Sequence, residues 1–212
     1  MANEQLPIQP VEQPIICGPY VEPDKFWYFD RTKMEMELRA GRREAGYYYK
    51  TDRVGAAQAG LFADEQWDDL PLINLLRKDV RRWRESGYRG ASSVTHDLLN
   101  HWASKERFRR LFFCQLESVE TIIYLNELRI PGRSSRTRFT NFALTDLDVQ
   151  QLLRGDKPDF YTTPTDFYPT LRDANGDHSL LPLQRMGCKM ATGSGKTVAM
   201  PLLATPCNAS FQ

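Results

Sequence analysis

The sequence predicts an α/β fold: a phosphate-binding loop that leads from a strand into a helix near the C-terminal end, preceded by a mixed α+β N-terminal region. Three observations carry this expectation. The string Met190-Ala191-Thr192-Gly193-Ser194-Gly195-Lys196-Thr197 has the composition of a loop that wraps phosphate. Three stretches between Leu72 and Leu128 repeat apolar residues at three- and four-residue steps. Two aromatic runs, Phe26–Phe29 and Tyr47–Tyr49, have the composition of strands.

A chain of 212 residues with 41% apolar content can bury a core. Its formal net charge is +1, so the overall balance neither supports nor excludes DNA, and any basic surface must be local. Cys17, Cys114, Cys188 and Cys207 are scattered and form no C-x-x-C pair, which suggests neither a zinc site nor a disulfide framework and suits a reducing cytosol. There is no signal-like N-terminus, and no apolar run approaches the ~18 residues of a membrane span. The expectation is a cytoplasmic protein with no membrane partner.

Residues 1–23 carry Pro7, Pro10, Pro14, Pro19 and Pro23 and read as an extended leader, because proline fixes φ and removes a donor. Residues 24–104 form an accessory region, a short β unit followed by two helices. Within it, Phe26–Asp30 and Gly46–Lys50 flank Arg39–Arg43, which predicts a hairpin or short sheet around that turn. The rings beside Arg42 and Arg43 either stack on nucleic acid or pack the β unit. Thr51–Asp69 reads as a loop. From Leu72, the positions Leu75, Leu76, Val80 and Trp83 define an amphipathic helix that ends before Gly87, with Arg77, Lys78, Arg81, Arg82 and Arg84 on its other faces. That basic face either meets phosphates or is solvated. Ser92 or Ser93 caps a second helix through Val94, Leu98, Leu99 and Trp102. His96 and His101 on it lie five apart, off one face, and make no metal site.

Residues 105–212 begin with the longest apolar stripe, Phe108, Leu111, Phe112, Leu116, Val119, Ile122, Ile123 and Leu128, with Glu117, Glu120 and Glu127 outside it. An insertion spans 130–180. It contains a short helix capped by the Thr145 hydroxyl and two acidic turns, Thr145–Asp148 and Asp173–Asp177, that lack calcium-loop spacing. Leu183–Met190 is expected to be a strand of a parallel sheet. In the loop that follows, Gly193 and Gly195 permit φ > 0 and keep bulk away, so that backbone N–H groups converge on a phosphate. Lys196 would reach the β/γ-phosphates, Thr197 would ligate Mg²⁺, and the helix N-terminus would face the anion. A glycine-rich surface turn is the alternative. Met190 stands where the strict pattern has its first glycine.

Met190–Thr197 resembles motif I of superfamily 2 helicases, especially that of type III restriction subunits. Phe113-Cys114-Gln115-Leu116-Glu117-Ser118-Val119 resembles their Q motif, in which Gln115 would pair with the N6 and N7 edge of adenine. A solvated or capping glutamine is the competing role. Including Tyr20–Pro23, Phe26–Asp30 and Gly41–Tyr47, residues from about 18 to 200 resemble the N-terminal part of type III restriction endonuclease subunits of the DEAD/DEAH-helicase kind. The resemblance implies that residues 105–212 begin a RecA-like helicase domain. It implies ATP and Mg²⁺ as cofactors, with Gln115, Thr192, Gly193, Ser194, Gly195, Lys196 and Thr197 at the ATP and Thr197 on the Mg²⁺. It also implies an ATP-dependent DNA translocase joined to a nuclease, with double-stranded DNA and a DNA methyltransferase subunit as partners.

A P-loop ATPase also needs a strand-borne acid for Mg²⁺ and charge clamps on the transferring phosphoryl group. Only residues 198–212 follow Thr197. They include Pro206 and also Pro201, which falls inside the expected helix at a cost of about 3 kcal/mol. A truncated or frame-shifted product is suspected: the expectation is the N-terminal fragment of an ATP-dependent DNA helicase or translocase subunit of a restriction endonuclease, and the alternative is a non-catalytic truncated or frame-shifted remnant or interaction module. The 212-residue chain should then release no phosphate from ATP and cut no DNA, since one arginine finger alone is worth ~10³ to 10⁵ in rate. DNA-stimulated phosphate release that disappears in Lys196→Ala would contradict this.

Overall fold

The computed structural model describes residues 13–30, 32–50, 65–129, 142–154 and 186–209. They form a mixed α+β arrangement: two two-stranded antiparallel sheets, then five α-helices. Strand β1 (Lys25–Asp30) pairs with β2 (Glu35–Ala40), Lys25 opposite Ala40 and Asp30 opposite Glu35. Strand β3 (Gly46–Lys50) pairs with β4 (Glu65–Asp69), Gly46 opposite Asp69.

Both aromatic runs are therefore strands, but they do not pair with each other. The chain reverses directly after β1, where the Asp30 carboxylate accepts the Thr32 N–H at 2.9 Å and the Lys33 N–H at 3.2 Å, a local side-chain turn. Gly41, at φ 92°, ends β2 instead of making the hairpin, and its N–H donates to the Asp24 carbonyl. The stretch read as a loop supplies β4, whose composition Glu-Gln-Trp-Asp-Asp carries little strand propensity of its own. Residues 51–64 lie outside the described ones.

Helix α1 (Pro71–Glu85) opens on the proline that suits a first helical position and buries Leu72, Leu76, Val80 and Trp83. Helix α2 (Ser93–Ala103) is capped by Ser92, whose hydroxyl accepts the Thr95 N–H, and buries Leu99 and Trp102. Helix α3 (Phe113–Ile123) starts later than its apolar stripe suggests, and Phe108 is 98% exposed. The start is set by hydrogen bonds: the Phe112 N–H donates to Gln115 Oε1 at 2.9 Å and the Phe113 N–H to the Pro19 carbonyl at 2.8 Å. The helix widens into a π turn, Tyr124–Leu128, closed by the Arg129 N–H on the Tyr124 carbonyl. Helix α4 (Asp146–Arg154) begins with a reciprocal cap: Thr145 Oγ1 accepts the Asp148 N–H, and Asp148 accepts the Thr145 N–H.

Helix α5 (Lys196–Ala209) packs mainly on α3 and runs through Pro201 despite the cost expected of a proline there. The proline forfeits one backbone bond, while Ala199, Leu202 and Leu203 on the same helix pack against the core and hold it. The parallel strand expected over 183–190 is not found at 186–190, which has no regular structure, and among the described residues there is no parallel pairing. Gly187, Cys188 and Lys189 are exposed there. Residues 183–185 and the Asp173–Asp177 turn lie outside the described residues. No helix among those described is long and apolar enough to cross a membrane.

One apolar core joins α1, α2, α3, the π turn, α4 and Ala199 of α5. Two polar clusters tie it together. Asp79, fully buried on α1, accepts from the N–H groups of Ala143 and Leu144 and from the Tyr124 hydroxyl, which docks the segment before α4. On the other side Glu22 of the leader binds Arg81 of α1 and Arg42, and Arg42 makes a bidentate pair with Glu117 of α3. Beside it Arg84 clasps the buried Glu120, which also accepts from the Tyr88 hydroxyl at 2.7 Å. Arg81 and Arg84 of the basic face of α1 are thus paired within the protein, while Lys78 is exposed.

Asp79→Ala would strand two backbone donors and a phenol, and should lower stability by about 2–4 kcal/mol in denaturant titration, against under 1 kcal/mol for the exposed Lys78→Ala. Glu22 offers a pH test. Burial pushes its carboxyl up, but the bonds from Arg81 and Arg42 outweigh that and hold it below the ordinary glutamate value. A depressed folded pKa contributes stability that is present above the unfolded value and is lost as pH falls through the folded one. The stability difference between wild type and Glu22→Gln should therefore shrink on acidification from about pH 5 downward; a difference independent of pH would contradict it.

Candidate nucleotide-binding loop

The loop of residues 191–195 is built from a tight turn followed directly by a helix start. Ser194 donates both its N–H (3.3 Å) and its hydroxyl (2.7 Å) to the Ala191 carbonyl, with Gly193 at φ 78° in the turn's third position. A positive φ there is what a type II turn requires. Gly195 (φ 74°) then reverses the chain into α5, placing Lys196 and Thr197 at its first two positions, both exposed. The N–H groups of Gly195, Lys196 and Thr197 donate to no group among the described residues. They sit at the positive end of a 14-residue helix, an arrangement that attracts anions. Thr192 is exposed on the same turn.

Gln115 is brought to this loop, 79 residues away in sequence. Its Nε2 donates to the Ser194 carbonyl at 2.8 Å and to the Gly195 carbonyl at 3.3 Å, while its Oε1 caps α3 at Phe112. The side chain is buried. Both hydrogens of the amide are therefore committed to the loop, and pairing with an adenine edge would require the amide to let go. Its observed work is to fix the loop to α3. Gly195 is needed twice over: a Cβ at this position would lie 2.3 Å from Gln115 Nε2, and the backbone is left-handed. At Gly193 a Cβ would meet nothing, so only the backbone conformation asks for glycine.

The sequence pattern missed the residues that steady Gln115. Pro19 caps α3 through its carbonyl, the Tyr20 ring lies 5.6 Å from that of Phe112, and Arg42 holds Glu117 one half-turn beyond Gln115. One signal was present, since glutamine three residues after a helix start is half of a capping box. Among the described residues no group of three or more histidines, cysteines or acids could hold a metal ion. No family model matches the chain, and neither a curated protein nor a solved structure matches it.

A double-mutant cycle tests the clasp. Gly195→Ala alone should cost about 2–4 kcal/mol, from left-handed strain plus expulsion of the amide. In a Gln115→Ala background the cost should fall to about 1–2 kcal/mol, the strain alone. Additive costs in denaturant titration would show that the two residues do not meet.

Proposed function

We propose that residues 192–197 bind the phosphates of ATP, with Lys196 as the principal cation and Thr197 completing the hold on Mg²⁺. The observation that carries this reading is the pair of left-handed glycines, Gly193 and Gly195, delivering to one helix start an exposed lysine and three N–H groups with no acceptor among the described residues. The residues suit the ligand: the N–H groups and Lys196 supply donors for terminal phosphate oxygens, and the Thr197 hydroxyl is a hard oxygen ligand of the kind magnesium takes. Bound Mg²⁺ would neutralise phosphate charge. The chain's part is to position that charge, and Gln115 keeps the loop carbonyls turned away from the phosphates by engaging them itself.

On the likeness of Met190–Thr197 and Phe113–Val119 to superfamily 2 motifs, the wider role we propose is that of the opening segment of an ATP-dependent DNA helicase or translocase subunit of a restriction endonuclease. Double-stranded DNA and a methyltransferase subunit would be its partners. The described residues support the nucleotide part of this reading most directly.

Titration with a fluorescent ADP or ATP analogue in the presence of Mg²⁺ tests it. Lys196→Ala should weaken binding by roughly ten- to a hundredfold, the worth of a charge-assisted contact. Since Lys196 is exposed, thermal unfolding of the variant should match wild type. Equal affinity in both proteins, or no binding by either, would overturn the proposal.

A further inference from the structure

The connection between α2 and α3 carries a short run of cations. Residues 105–110 read Lys-Glu-Arg-Phe-Arg-Arg, four cations to one acid. Among the described residues no ion pair is formed by Lys105, Arg107, Arg109 or Arg110. The contrast with α1 is sharp, for there Arg81 and Arg84 are taken up by Glu22 and Glu120. The Nη1 of Arg107 is shielded from solvent without a hydrogen-bond partner. Amid these charges the Phe108 ring is 98% exposed. Arg110 lies over one face of the Tyr20 ring at 4.4 Å, and Tyr20 is itself 43% exposed, so a second aromatic ring stands beside the same cations.

A lone exposed phenylalanine is ordinary; one set among unpaired cations on a segment without regular structure is a combination with a definite complement. A protein partner would call for a contiguous apolar patch, which charges on both sides of Phe108 prevent. A membrane surface would call for a helix with one apolar face, and residues 104–112 form no helix. Single-stranded nucleic acid supplies what the segment lacks: a line of phosphates for the cations and unpaired bases with open π-faces for the rings. A duplex keeps its base faces stacked inward and has no use for the phenylalanine.

We infer that Lys105–Arg110, with Tyr20 alongside, is a contact site for single-stranded DNA or RNA, with Phe108 stacking on a base. The site is separate from the phosphate loop and does not rest on the nucleotide reading. Fluorescence anisotropy with a labelled 12-nucleotide oligothymidine, at several salt concentrations, tests it on the full chain. Phe108→Ala should weaken binding by roughly five- to a hundredfold and leave thermal unfolding unchanged, as the ring is in solvent. Lys105→Gln with Arg109→Gln should lower the slope of log affinity against log salt by roughly 1.4, about 0.7 for each cation. Lys196→Ala should bind the oligonucleotide like wild type, so a failure of the phosphate loop leaves this result untouched. Affinity unaltered by Phe108→Ala, tighter binding to the matching duplex, absence of oligonucleotide binding, or binding only to anionic lipid vesicles would each overturn the inference.

Discussion

The arrangement depends on one amide. Gln115 closes the first turn of α3 with its oxygen and holds the Ser194–Gly195 carbonyls with its nitrogen, so a single side chain ties the start of α3 to the loop of residues 191–195. A buried amide must satisfy its donors and acceptors, because leaving them unmade costs about 1–3 kcal/mol each. That requirement makes the position of the loop relative to α3 a matter of hydrogen-bond completion rather than of loose packing. The apolar contact of α5 with α3 then carries the helix that the loop opens.

Charge does the corresponding work farther from the loop. Glu22, Arg42, Arg81, Glu117, Arg84 and Glu120 draw the leader, the segment between the sheets, α1 and α3 to one place. Pairs of this kind, part-buried and bidentate, cost desolvation and return it only when geometry is good, so their net stabilisation is modest while the penalty for removing one partner is large. Their effect on function is subtractive. They take up Arg81 and Arg84 of α1, while the cations of the α2–α3 connection have no acidic partner among the described residues.

Features governed by neighbours in sequence were legible. The caps at Ser92 and at Thr145 with Asp148, the buried stripe of α1 and the two left-handed glycines of the loop all follow from patterns a few residues long. Features governed by distant partners were not. Nothing in Phe26–Asp30 says that its partner is Glu35–Ala40 rather than Gly46–Lys50; that choice is made by the Asp30 turn. The apolar stripe from Phe108 suggested a helix that begins before it does, because periodicity cannot see the Pro19 carbonyl that caps α3. The intrinsic helix penalty of Pro201 is local, whereas the tertiary contacts of Ala199, Leu202 and Leu203 that carry the helix past it are not. For the site, the loop residues were named from their string, whereas the destination of Gln115 lies 79 residues away and no local pattern encodes it.

The central claim is that the loop at the start of α5 receives phosphate while clasped to α3 through Gln115. Its most direct test is an amide-resolved NMR titration of isotope-labelled protein with Mg²⁺ and ADP. The account predicts saturable shifts concentrated in the backbone amides of residues 193–197 and in the side-chain NH₂ of Gln115, with those of α2 and α4 unmoved. Shifts that bypass residues 193–197, or none at all at nucleotide concentrations in the millimolar range, would contradict it.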